Sequence, residues 1–228
     1  MQRSLPAATR TKPDSKVIPV RASECYHLMT GDTVGAFVKY AHRFDESVAA
    51  MFSASPKTNR SVCDWMHDQI LHMDVYCRSL TFIERPLIMP APDVSLSCVG
   101  TLVEACLHAV AQTRFCPQEI SLEISSSVIE GNRQEALLFM NAFRRNGFRV
   151  SIDARRCWKA DLSPSSWLLV DTLRFDASLL DTCQALEEMI SIAAEAGVAI
   201  VAENAKWRDA EYLHSIGVAY ALKPKADA

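Results

Sequence analysis

Two short runs in the middle of the chain finish on a carboxylate. Arg149 to Asp153 alternates polar and apolar residues and ends on Asp153, and Thr172 to Asp176 (TLRFD) ends on Asp176. Each reads as a strand closed by an acid. In alpha/beta proteins the carboxyl ends of strands are where reacting groups gather. The two acids stand 23 residues apart, room for one loop and one short helix, so both can lie on the same rim of a parallel sheet. Two further predicted strands also carry acids: Ile120 to Ile124 holds Glu123, and Val198 to Glu203 ends on Glu203. The chemistry-bearing feature is therefore an acidic rim, with Arg174 set between Asp153 and Asp176 as its cation.

The elements needed to hold that rim are legible on either side of it. Tyr26 to Lys39 (YHLMTGDTVGAFVK) reads as strand, Thr-Gly-Asp turn and strand, a hairpin by its turn chemistry. From Ser61 to Leu80 the apolar residues Val62, Trp65, Met66, Ile70, Met73 and Cys77 keep a helical period. Pro86 to Pro92 (PLIMPAP) reads as a strand that proline should distort or push to a sheet edge. Helices follow at Val99 to Val110, Arg133 to Arg145, Gln184 to Ala196 and Lys206 to Ile216; Asn146-Gly147, Gly197 and Gly217 supply stop signals. Val218 to Leu222 is the last predicted strand. Strand and helix alternating with short loops from residue 87 onward require a parallel sheet with right-handed crossovers. About eight strands in one domain of this length favour closure into a TIM-like (β/α)8 barrel over an open sheet. No G-x-G-x-x-G motif is present to mark a doubly wound nucleotide-binding fold.

Composition narrows the function classes. In 228 residues, 49% are hydrophobic and 22% charged, an ordinary globular balance. No run of 18 apolar residues predicts a membrane span, and the opening MQRSLPAATRTKPDSK lacks the apolar middle of a secretory signal, so a cytoplasmic location is expected. Eight cysteines without a C-x-x-C pair read as reduced, mostly buried thiols, not a disulfide frame or a zinc site. The formal charge of −3 divides unevenly: residues 1 to 23 carry a net +4, which leaves −7 on the remainder. We read 1–23 as a disordered basic tail and 24–228 as the folded domain. An acidic body without a basic helix is unsuited to nucleic acid, whose first requirement is phosphate neutralisation.

The acidic segment resembles the DDFGTG...VDTLKID stretch of EAL-domain cyclic-di-GMP phosphodiesterases. Without a gap, SIDARRCW lies over ALDDFGTG and VDTLRFD over VDTLKID. VAEN at Val201 to Asn204 is similar to the family's VAEG, and LEISSS at Leu122 to Ser127 to its LELTES. The resemblance covers roughly Tyr26 to Pro224 and is strongest after Glu119. It implies the (β/α)8 barrel with an antiparallel first strand, and in the family two divalent cations hold the attacking hydroxide and the bridging phosphate oxygens.

Carried over position by position, the resemblance leaves a partly degenerate site. Glu123, Asp153 and Glu203 are retained, and the lysine of VDTLKID is Arg174. Aligned on TGxxVG, the signature Glu-Ala-Leu becomes Phe37, Val38 and Lys39, and the phosphate-contacting arginine after it falls on Ala41. The family's asparagine corresponds to Pro90 and the second aspartate of its pair to Ala154, and its closing glutamine has no counterpart before Ala228. Such a set implies a protein that is not an enzyme, holds no metal or other cofactor and has no catalytic residues. Arg174 is expected to pair with Glu123, Asp153 or Glu203 where the family places its metals.

The flexible Phe-Gly-Thr-Gly becomes Arg155, Arg156, Cys157 and Trp158. Arginine and tryptophan dominate interface energetics, so Arg155, Arg156 and Trp158 form a candidate contact patch; the other reading has Trp158 packed over the barrel mouth. The resemblance therefore implies a regulatory protein-binding module of bacterial motility or biofilm control, with another protein as partner and no cyclic-di-GMP binding expected. A non-hydrolysing cyclic-di-GMP receptor is the alternative, and an active phosphodiesterase stands behind both.

Overall fold

The computed structural model describes residues 20–40, 57–78, 85–91, 98–155 and 162–224. Eight strands close into a barrel in chain order. They are β1 (Val20–His27), β2 (Thr33–Tyr40), β3 (Leu87–Pro90), β4 (Ile120–Ser125), β5 (Arg149–Asp153), β6 (Thr172–Asp176), β7 (Ala199–Glu203) and β8 (Tyr220–Leu222). Between them run α1 (Lys57–Arg78), α2 (Val99–Val110), α3 (Ser126–Gly131), α4 (Arg133–Arg145), α5 (Pro164–Trp167), α6 (Gln184–Glu195) and α7 (Ala210–Ser215). Strands β2 to β8 pair in parallel, whereas β1 is antiparallel to both β2 and β8. This is the barrel expected from the sequence, its first strand inverted.

The strand patterns decide which side chains face the interior. In β6, Leu173 and Phe175 are fully buried in the layer between barrel and helices, so Thr172, Arg174 and Asp176 point to the axis by the two-residue alternation. Cys25, Phe37, Ile88, Val201 and Leu222 form a second apolar cluster, separate from the large outer one. These are the inward positions of β1, β2, β3, β7 and β8, so one half of the barrel interior is apolar. The other half, on β4 to β6, carries Ser121, Glu123, Ser151, Thr172 and Arg174, all buried.

The structure departs from the sequence reading in three places. The β1 strand begins at Val20, so residues 20–23, assigned from their charge to the basic tail, pair with Tyr40, Lys39, Val38 and Phe37. Residues 1–19 lie outside the described set. Pro90 does not put β3 at a sheet edge: the barrel is closed, and pairing of β3 with β2 ends at Ile88, so on that side Pro90 has no ladder partner for its missing N–H to interrupt. Finally, Cys25, Cys63 and Cys106 are buried free thiols as expected, but Cys183 is disulfide-bonded. A disulfide follows from which turns meet in space, and C-x-x-C spacing is blind to that.

Glycines after α6 and α7 turn the chain back into the next strand, and both hold left-handed backbone: φ is +82° at Gly197 and +94° at Gly217. They differ in their surroundings. A Cβ on Gly217 would lie 2.7 Å from the Cβ of Ala194, while one on Gly197 meets nothing within 4 Å. Gly197→Ala should therefore cost only the left-handed penalty of about 1–2 kcal/mol, and Gly217→Ala a further ~1–3 kcal/mol of overpacking. Urea unfolding midpoints of the two variants test that order.

Candidate functional site

The barrel mouth is organised by one buried guanidinium. Arg174, 6% exposed, donates from Nε to Glu123 Oε1 at 2.7 Å and from a terminal nitrogen to Glu123 Oε2. Its other terminal nitrogen donates to Glu203 Oε1 at 2.7 Å, and Asp153 Oδ2 lies 3.2 Å away. The strand register makes this possible. Asp153 pairs with Arg174 across β5 and β6, Glu123 stands on β4, and Glu203 ends β7 on the far side of Arg174. A planar fork suits such a position, since two parallel N–H groups match one carboxylate and leave a third direction free.

Phe37 completes the enclosure. Its ring, 3% exposed, lies under the guanidinium with the central carbon 4.9 Å from the ring centroid, a cation–π contact in a desolvated setting. Ala154 is fully buried and its backbone N–H donates to the Arg174 carbonyl at 2.7 Å. Ala41, Arg156 and Trp158 lie outside the described residues.

A second arginine, Arg155, expected from the sequence in a contact patch, also belongs to the same cluster. Arg155 donates from Nε to Asp153 Oδ1 at 2.9 Å and from a terminal nitrogen to Asp153 Oδ2 at 2.6 Å, and reaches Glu203 Oε2 at 3.4 Å. Its backbone N–H also donates to Asp153 Oδ1 at 3.1 Å. The side chain stays 42% exposed, but its charge is spent on the rim. The signal was an arginine two places after a strand-end acid, close enough to fold back onto it.

Asp176, placed by the sequence beside Asp153, stands one inward layer higher. It accepts from the Ser178 backbone N–H at 3.0 Å and from Asn204 at 2.9 Å, and Asn204 occupies the left-handed region at φ 57°, which asparagine tolerates.

The charges favour the ionised states of Asp153 and Arg174. Burial pushes the Asp153 carboxyl up, but hydrogen bonds from Arg155 and the charge of Arg174 outweigh it and hold the group below its ordinary range. Burial alone would lower Arg174; Glu123, Asp153 and Glu203 reverse that and raise it. Full burial pushes the Glu123 carboxyl up against the pull of Arg174.

The donor set answers whether two divalent cations fit. Phe37, Pro90 and Ala154 offer no side-chain oxygen at three of the positions that the resemblance assigns to metal. All six carboxylate oxygens of Glu123, Asp153 and Glu203 receive an N–H from Arg174 or Arg155. Neighbouring divalent cations need those same oxygens to offset their mutual repulsion, so these residues do not fit the pair.

No family model matches this chain, and no curated protein matches it. Solved structures do. The PaMucR phosphodiesterase in complex with c-di-GMP superposes with a TM-score of 0.68 at 13% identity, over 90% of this chain and 88% of that one. The EAL domain of Mycobacterium smegmatis DcpA gives 0.65 at 19% identity, over 89% and 88%. The chain has the EAL-domain fold. The FimX EAL domain gives 0.62 at 11% identity, over 91% and 88%.

Two outcomes follow from the geometry. Arg174→Met leaves Glu123 buried without its partner and should cost about 3–5 kcal/mol in denaturant unfolding, while Arg174→Met combined with Glu123→Met should recover most of that loss. Asp153 has a lowered folded-state pKa, so its stabilisation is full above the unfolded carboxylate value of about 4 and fades as pH falls below it. Wild type and Asp153→Asn should accordingly differ most near neutral pH and converge in acid, as read from urea midpoints across pH.

Proposed function

We propose that this chain is a non-hydrolysing EAL-fold protein that acts by binding another protein, as a regulatory module of bacterial signalling such as motility or biofilm control. One observation carries the reading: the two guanidinium groups of Arg174 and Arg155 take up every oxygen of the three rim carboxylates, with the Phe37 ring packed beneath Arg174. A hydrolytic centre for a phosphodiester must leave acid oxygens free for cations and hold a water between them. Here the cation is part of the chain, and an arginine, always protonated, cannot serve as a base for that water. Self-neutralisation keeps the barrel mouth satisfied without a ligand. What remains for the molecule to do is present its outer surface.

A receptor for cyclic-di-GMP is the second reading, favoured by the presence of that ligand in the PaMucR structure. Against it stand, in the sequence, Arg156 and Trp158 in place of the family's two glycines and Ala41 in place of a phosphate-binding arginine.

Calorimetric titration of cyclic-di-GMP into the purified protein, with and without Mg or Mn, followed by chromatography of the mixture, separates the three readings. We expect no heat and no linear dinucleotide. Heat without product makes the chain a receptor. Product that disappears in Asp153→Asn makes it a phosphodiesterase and ends the proposal.

A further inference from the structure

Away from the barrel mouth, the described residues form an apolar groove in the layer of helices. It lies between α4 and α5, has a volume of 320 Å³ and is lined by Gln134, Leu137, Leu138, Asn141, Ser165 and Leu169, with Ser166 at its base. Leu138 is 58% exposed and Leu168, next to the groove on the α5 side, is 67% exposed. The opposite faces of these elements are buried: Ala136, Phe139, Met140 and Phe143 of α4 and Trp167 of α5 are all in the core.

The spacing defines the shape of what would fit. Gln134, Leu137, Leu138 and Asn141 stand at i, i+3, i+4 and i+7, one stripe along α4, and α5 supplies the opposite wall. A trough between two helices with such a stripe accepts an amphipathic helix laid along it.

Charge defines its chemistry. The stripe continues to Arg145, one turn beyond Asn141, and Arg149 follows at the start of β5; both are exposed. Neither has an ion-pair partner among the described residues, whereas their neighbour Arg144 is held by Asp171 at 2.6 Å. Unpaired arginines at the end of an apolar trough, on a body that is otherwise acidic, call for carboxylates on the incoming segment. A second copy is a poor occupant. Seven lining residues fall well short of the ~20–30 a side of a stable protein interface.

We infer that the α4/α5 groove docks an acidic amphipathic helix of another protein, its leucine-type side chains seated between Leu137, Leu138, Leu168 and Leu169 and its carboxylates on Arg145 and Arg149. The inference rests on the protein-binding reading above and gives it a surface and a partner chemistry.

The test uses a fluorescein-labelled peptide of about 18 residues, five helical turns, with leucine at i, i+4 and i+7 spacing and glutamate on its flanks. Its counterpart carries lysine in place of every glutamate. Fluorescence anisotropy against the full chain should show the glutamate peptide bound and the lysine peptide at least about tenfold weaker. Leu138→Asp should abolish binding, and Arg145→Glu with Arg149→Glu should weaken the glutamate peptide by about tenfold or more. All these residues are exposed, and unchanged circular dichroism and unfolding midpoints verify that the variants fold. No binding of either peptide, equal binding of both, or binding that survives Leu138→Asp overturns the inference. A wild-type dimer in sedimentation that Leu138→Asp converts to monomer overturns it too, because the occupant is then a second copy. The protein-binding reading itself fails by a different result, hydrolysed or bound cyclic-di-GMP, which the groove variants leave unaffected.

Discussion

The contact on which the barrel mouth depends is the fork of Arg174 against Glu123. Both side chains are almost wholly removed from water, and removal of either charge from water costs several kcal/mol unless the other is in place with good geometry. Glu123 uses both oxygens on that fork, and the remaining guanidinium nitrogen turns to Glu203. One bidentate pair thus ties β4, β6 and β7 across the interior, and Phe37 on β2 closes the remaining side. The balance is incomplete: three acids face two arginines, and the residual negative charge is carried at the rim, where Asp153 and Glu203 are less buried and water screens it.

The rest of the fold positions this pair by plain strand arithmetic. Alternation in β6 puts Leu173 and Phe175 outside and Arg174 inside, and the same period sets Glu123 and Asp153 on the axis. The apolar half of the interior, from Cys25 to Leu222, supplies a floor and wall of low polarizability that make the ion pair electrostatically strong. The serines of the polar half are small, which leaves room for an arginine to stretch across the barrel.

Much of this could be read from the residues before any coordinates. Strands that end on Asp153, Asp176 and Glu203, and the helix stops at Gly197 and Gly217, appear where the sequence pattern puts them, because period and turn chemistry are local properties. The pairing partners of Arg174 followed from the three acids that the family resemblance places around it. What could not be read is set by contacts between distant residues. That Arg155 reaches Glu203 as well as Asp153 could not be read, because Glu203 lies 48 residues away in the chain. Residues 20–23 looked like tail because their charges say nothing of the β2 edge waiting for them. Pro90 looked disruptive because the point where β3 parts from β2 is a matter of register, and register is fixed by the whole barrel.

The inverted first strand has a consequence for how the molecule comes into being. The barrel is shut by only three residue pairs between β1 and β8, Cys25 with Leu222, Tyr26 with Ala221 and His27 with Tyr220, and these are among the most distant partners in the chain. A ribosome delivers β1 and β2 early, and they can form their hairpin at once. The seam, however, has no second side until β8, which begins 200 residues after β1, has emerged. Through most of synthesis β1 offers an open edge, and closure is a late, long-range event of high contact order.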